Sequence, residues 1–141
     1  MTDTGADSQP VHPDSHYAQY APLWTVFVAL QDIDIDMGPT IFLTNTHTSY
    51  SHDCFTGGNE QKEQLLASSE YRRSALKKGD AAVMDSRTLH FGDKNDSDGK
   101  RRVLLYFTIR NPLHSETGAE ADYPPCGSKW ADLHMSTRDF L

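Results

Sequence analysis

The sequence predicts a mainly β protein, a sandwich or barrel with one or two short helices, and three observations lead there. Apolar residues gather in short runs rich in β-branched and aromatic side chains. Polar segments dense in Gly, Pro, Asp, Asn and Ser separate those runs. Helical and strand patterns do not alternate along the chain, as a parallel α/β sheet would require.

Residues 1–11 are small, polar and acidic, with Pro10, and read as a loop. Residues 12–20 carry His12-Pro13-Asp14 and then His16, Tyr17 and Tyr20. Leu23 to Leu30 is the strongest strand, apolar on both faces, and is expected to be central and covered on both sides. Gln31 to Met37 is polar and ends at Gly38-Pro39, a turn signal. Thr40 to Thr44 is a second strand, and Asn45 to Asn59 reads as a loop of Ser, Thr, His and Gly. Good helix formers with Leu65 and Leu66 on one side predict a helix over Glu60 to Ser68. Lys77-Lys78-Gly79-Asp80 is a turn, Ala81 to Asp85 a buried strand, and Thr88 to Phe91 another. Asp93 to Lys100 is a polar loop, Arg101 to Arg110 a long strand, and a short helix is expected near Trp130 to Leu133.

A chain of 141 residues suits a single domain spanning 1–141. At that size a fold buries roughly 68–70% of its unfolded surface. The net charge of −7 opposes non-specific nucleic-acid binding, and the basic clusters Arg72-Arg73 with Lys77-Lys78, and Lys100-Arg101-Arg102, are too short to offset it. Two cysteines, Cys54 and Cys126, are too few for a disulfide scaffold, so free thiols are expected. No apolar run approaches the ~20 residues that span a bilayer, and the acidic N-terminus does not resemble a leader. These features give the expectation of a cytoplasmic protein with no membrane or nucleic-acid partner; they leave oligomeric state open.

The chemistry concentrates in two distant stretches, His12-Pro13-Asp14 and Asp85-Ser86-Arg87-Thr88-Leu89-His90. His12 and Asp14 are two apart, so in extended backbone their side chains share a direction. With His90 brought opposite by antiparallel pairing, two neutral imidazoles and one carboxylate form a set that suits Fe(II) and leaves positions open. Taken alone, His12 and Asp14 fit ordinary loop residues. Arg101 and Arg102 begin a strand and point to opposite faces, so only one enters the barrel, where its guanidinium fork suits a carboxylate. Two surface arginines at a strand edge are the plainer reading. His16 either lines the same pocket or is a hydrogen-bonded loop histidine. His47 and His52 are expected at the surface. Trp24 and Phe27 fall on opposite faces of their strand, core packing being the first reading for both, with Trp24 also a pocket candidate.

Over residues 9–112 the chain resembles the phytanoyl-CoA dioxygenase family of Fe(II)- and 2-oxoglutarate-dependent oxygenases. The resemblance rests on Gln9 through Tyr17, Trp24 to Thr40, Phe42 to His47, Lys78-Gly79-Asp80, Asp85 to His90, Asn95 through Arg101, and Tyr106 to Pro112, in unbroken order. It implies a double-stranded β-helix, a jelly-roll and cupin-like core over 9–112 with a C-terminal extension over 113–141. It implies iron ligation by His12, Asp14 and His90. Counting eleven positions from His90 it implies Arg101 as the anchor of 2-oxoglutarate, with Phe27 against the same cosubstrate. The implied reaction hydroxylates a small organic substrate with O2, while 2-oxoglutarate yields succinate and CO2. Asp14 argues against a halogenase, in which that carboxylate is missing. Departures from the family pattern are Thr44-Asn45-Thr46-His47 in place of a Gly-Ser-His loop, and Phe91-Gly92 after His90 in place of Gly-Ser. The family carries a longer region before its His-x-Asp motif, so an N-terminally truncated oxygenase with an open sheet edge is expected. The competing readings are a non-catalytic remnant acting as a binding module, and a cupin-type metal protein with another cosubstrate.

Overall fold

The computed structural model describes residues 1–111 and Leu113, so the helix expected near Trp130, the extension over 113–141 beyond Leu113, and Cys126 lie outside the described residues. Two three-stranded antiparallel sheets form the body. One has the order β4-β1-β6 and the other β3-β2-β5. The strands are β1 (Leu23–Ala29), β2 (Thr40–Leu43), β3 (Tyr71–Arg73), β4 (Ala81–Asp85), β5 (His90–Gly92) and β6 (Leu104–Arg110). Helices α1 (Ser49–Thr56) and α2 (Asn59–Ser68) lie between β2 and β3. The mainly β architecture with short helices is therefore the one the sequence predicts.

β1 is central, as expected, pairing with β4 on one side and β6 on the other. Its inward face presents Thr25 and Phe27, and across the gap the Phe27 ring meets Phe42 of β2 at 5.8 Å. The opposite face is not fully covered among the described residues. Trp24, on that face with its pairing partners Asp85 and Ile109, is 41% exposed. β4 differs from the expected buried strand for the same reason, since it is an edge whose Val83 points outward and whose Met84 alone is fully buried. β6 pairs only with β1 among the described residues and exposes Leu105, Phe107 and Ile109 on the same outer face as Trp24. The core packs Ala29, Ile33 and Met37 with Leu76 and Leu104.

The first twelve residues are irregular but not a free loop. They run antiparallel to residues 90–102, with paired backbone bonds at Thr2–Arg102 and His12–His90, and with Asn95 and Gly92 held between by Gly5, Ala6 and Gln9. Asn95, fully buried in the polar 93–100 loop, closes that loop on itself through Lys100 O and Ser97. Gly38 turns the chain into β2 at φ 67°, and a Cβ there would lie 2.3 Å from the carbonyls of Asp93 and Lys94, so only glycine lets this loop pack against the turn.

One helix was not legible. Ser49–Thr56 is made of weak helix formers, and it holds because Thr48 caps it, accepting from Ser51 N at 3.2 Å, and because it packs on α2. Its His52 is buried and donates from Nε2 to the Arg87 carbonyl at 2.7 Å, correcting the surface position expected for it. The outer face of the second sheet forms an apolar hollow of about 150 Å³ near α2, lined by Ile41, Leu43, Leu66 and Phe91 among others. Phe91 thus points away from the inward face.

Candidate metal centre

His12 and His90 form a hydrogen-bonded antiparallel pair: His12 N donates to His90 O at 3.0 Å and His90 N to His12 O at 2.9 Å. Paired residues project to one side of a ladder, and the two rings stand 4.6 Å apart between centroids. Asp14 follows at the next same-side position. Its backbone N–H donates to Ser86 O at 2.9 Å, Ser15 N donates to the same carbonyl, and the Ser15 and Ser86 hydroxyls meet at 2.7 Å. One ligand atom from each of His12, Asp14 and His90 lies within 4.8 Å of the others.

The tautomers of both histidines are fixed by the chain itself. His12 Nδ1 lies 2.8 Å from Pro10 O, and His90 Nδ1 lies 3.0 Å from Thr88 O. A carbonyl only accepts, so each Nδ1 carries the proton and each Nε2 keeps its lone pair. His90 Nε2 stands 3.5 Å from Asp14 Oδ1. Burial pushes the His90 imidazole below its ordinary value and His12 adds to that, against the opposing pull of Thr88 O and Asp14. At neutral pH it is therefore the neutral, ligating form. Two Nε2 lone pairs and a carboxylate oxygen converge with both Nδ1 protons tied to backbone carbonyls, which is the outer-shell arrangement that metal-ligating histidines require. The residues fit a divalent transition metal on that ground.

A buried clamp holds the loop that carries Asp14. Arg87 pairs bidentately with Asp85, through Nε at 3.0 Å and Nη2 at 2.6 Å, and its Nη1 donates to the carbonyls of Ala18 and Gln19. Both side chains are about a tenth exposed. Burial works to raise the Asp85 carboxyl, but the Arg87 hydrogen bonds and charge outweigh it and hold it below the usual carboxylate range.

Beyond the cluster the inward face continues as an aromatic wall ending in one arginine. Phe42 pairs with His90 in register and its ring lies 6.4 Å from the imidazole; Phe27 stacks on Tyr106 at 6.2 Å. Ala29, Phe27 and Thr25 of β1 oppose Leu104, Tyr106 and Thr108 of β6, so these share a face, and two residues before Leu104 that face carries Arg102. Arg102 is 8% exposed; its Nη2 donates to Thr2 Oγ1 at 2.9 Å, while its buried Nη1 has no hydrogen-bond partner among the described residues. Gly92, on the same side of β5 as His90, leaves room for it: a Cβ there would fall 2.9 Å from Gln9 Oε1 and 3.3 Å from Arg102 Nη2.

Placement of the sequence-predicted residues follows. His12, Asp14 and His90 are brought together, and Phe27 lies on the inward wall. Arg101 is a correction: it is exposed and ion-paired with Asp3, because the register of β6 against β1 turns Arg102, not Arg101, inward. Trp24 is a second correction, lying on the outer face opposite Thr25 and Phe27. His16 is exposed and outside the cluster. Sequence reasoning missed Thr25, which is 1% exposed and donates to Asp14 Oδ2 at 3.0 Å, and it missed the Arg87 clamp. Only the inward parity of β1 carried a signal for Thr25.

The family model for phytanoyl-CoA dioxygenase (PhyH) matches residues 1–103. No curated protein matches the chain. Among solved structures it is similar to AviO1 from Streptomyces viridochromogenes Tue57, with 17% identity and a TM-score of 0.63 over 88% of this chain and 49% of that one. It is similar to the non-heme alpha-ketoglutarate-dependent carbocyclase SnoK from nogalamycin biosynthesis, with 16% identity and a TM-score of 0.54 over 87% and 54%. It also resembles the epimerase SnoN in complex with Fe3+, alpha-ketoglutarate and nogalamycin RO, with 18% identity and a TM-score of 0.52 over 89% and 56%. The chain thus spans about half the length of these structures. No helix among the described residues is long and apolar enough to cross a membrane.

Proposed function

The chain belongs to the phytanoyl-CoA dioxygenase family, and from that premise we propose that it acts as a 2-oxoglutarate-dependent dioxygenase that hydroxylates a small organic substrate. Fe(II), 2-oxoglutarate and O2 form the cofactor set. The observation that carries the reading is the convergence of two lone-pair-bearing imidazoles and one carboxylate, within 4.8 Å, on an inward face. His12, Asp14 and His90 would hold the iron on one side and leave the other open for cosubstrate and oxygen.

Bound there, iron with O2 and 2-oxoglutarate would supply the oxidising chemistry, one oxygen atom going into a substrate C–H bond and the other into the succinate formed with CO2 from 2-oxoglutarate. What the chain contributes is placement. Arg102, whose buried Nη1 lacks a hydrogen-bond partner among the described residues, takes the distal carboxylate of 2-oxoglutarate in place of the Arg101 expected from spacing. Phe27 and Phe42 wall the space between, with Tyr106 stacked on Phe27 at its outer end. Pro10 O and Thr88 O keep both imidazoles in the ligating tautomer throughout. The substrate is a small molecule, in keeping with the nogalamycin compound bound by SnoN.

The test is an anaerobic titration of the 141-residue chain with Fe(II) and 2-oxoglutarate, followed by succinate analysis after admitting O2. A visible charge-transfer absorption that disappears in His90→Ala, and succinate formation, are the expected results. A folded chain that shows neither sinks the proposal.

A further inference from the structure

Asp14 is held at two points by different parts of the fold, and its remaining oxygen faces an imidazole lone pair. Its backbone N–H is bound to Ser86 O. Its Oδ1 faces His90 Nε2 at 3.5 Å. Its Oδ2 accepts from Thr25 Oγ1 at 3.0 Å. Thr25 is itself immobile, 1% exposed in the middle of the central strand and paired with Met84 and Thr108. A hydroxyl so enclosed cannot turn to water.

Resting on the metal-centre reading above, we propose that the Thr25 hydroxyl is the positioning group that fixes Asp14, so that Oδ1 alone is presented to the metal. The physical reason is competition for lone pairs. A carboxylate can grip a cation with both oxygens or with one. The Thr25 hydrogen bond engages Oδ2 and sets the plane of the group, because the donor sits on a strand that cannot move. One-oxygen ligation leaves more of the metal's coordination positions for cosubstrate and oxygen than a two-oxygen grip would. It also means that Asp14 needs no rearrangement when metal arrives, and pre-set outer-shell partners of this kind typically contribute 10–100-fold to metal affinity.

The experiment uses Co(II), whose visible bands report both binding and coordination, titrated into the full chain and into Thr25→Val, Thr25→Ser and Thr25→Ala. Thr25→Val is expected to bind roughly 10–100-fold more weakly, with altered Co(II) band intensities. Thr25→Ser, which retains the hydroxyl, is expected to restore wild-type affinity and spectrum, and Thr25→Ala is not. Should Thr25→Val fail to fold, the Ser and Ala variants still isolate the hydroxyl. Wild-type affinity and spectrum in Thr25→Val, or a Ser variant no better than Ala, would overturn the inference while leaving the metal centre intact. Absence of Co(II) binding by the wild-type chain, or equal binding by His90→Ala, would instead remove the reading on which it rests.

Discussion

Replacing Arg102 by Met separates a site arginine from a surface arginine. Arg102 is 8% exposed, donates once to Thr2 Oγ1, and keeps a buried Nη1 with no partner among the described residues. A carboxylate arriving there gains charge-assisted hydrogen bonds, each worth about 1.5–3 kcal/mol. Two at the lower end amount to about 3 kcal/mol, or roughly a 100-fold change in dissociation constant. Arg102→Met should therefore weaken 2-oxoglutarate binding about 100-fold. Without cosubstrate, the variant should be no less stable than wild type, because it removes a buried charge whose Nη1 has no hydrogen-bond partner among the described residues. Arg101→Met removes only an exposed pair with Asp3, whose side chains are 58% and 72% exposed. It should alter cosubstrate binding by less than about threefold. The assay is an anaerobic titration of the Fe(II)-loaded variants with 2-oxoglutarate, read from the visible absorption, alongside thermal unfolding of the metal-free chains. If Arg101→Met carries the loss and Arg102→Met does not, the assignment from strand register is wrong.

Other consequences follow from the same contacts. Asp85 has a folded-state value below its ordinary 3.8, so its contribution to stability is complete above that value and is lost as pH falls through the lowered one. Arg87→Met should flatten this acid limb and cost about 3–5 kcal/mol at neutral pH by stranding a buried carboxylate, as urea unfolding between pH 2 and 7 would reveal; an unchanged acid limb would refute the clamp. Gly92→Ala places a Cβ 2.9 Å from Gln9 Oε1 and 3.3 Å from Arg102 Nη2. It should weaken 2-oxoglutarate binding while leaving Co(II) affinity close to wild type, and a loss of both would show that Gly92 serves the metal side instead.

Much of this architecture was legible because it depends on local pattern. β1 and β2 announce themselves by β-branched and aromatic runs, and α2 by good helix formers. His12, Asp14 and His90 were legible because two-residue spacing and one antiparallel pairing suffice to bring them together. What failed depends on register and tertiary contact. Eleven positions after His90 lands on Arg101, but the loop from Asp93 to Lys100 absorbs length, and the face is decided by Leu104 opposing Ala29. α1 defeats propensity because its stability comes from a Thr48 cap and packing on α2. Thr25 reads as an ordinary strand former, and nothing in its neighbours reveals that its hydroxyl meets a carboxylate eleven residues earlier. Trp24 read as core because the strand is apolar on both faces, whereas its outer face lies largely open among the described residues.

The most direct test of the central claim is a crystal structure of the full chain grown with Mn(II) and 2-oxoglutarate, with the metal located by anomalous scattering. The account predicts one strong peak bounded by His12 Nε2, Asp14 Oδ1 and His90 Nε2, with the distal carboxylate of 2-oxoglutarate on Arg102. A peak elsewhere, such as beside His47, or a cosubstrate carboxylate seated on Arg101, would contradict it.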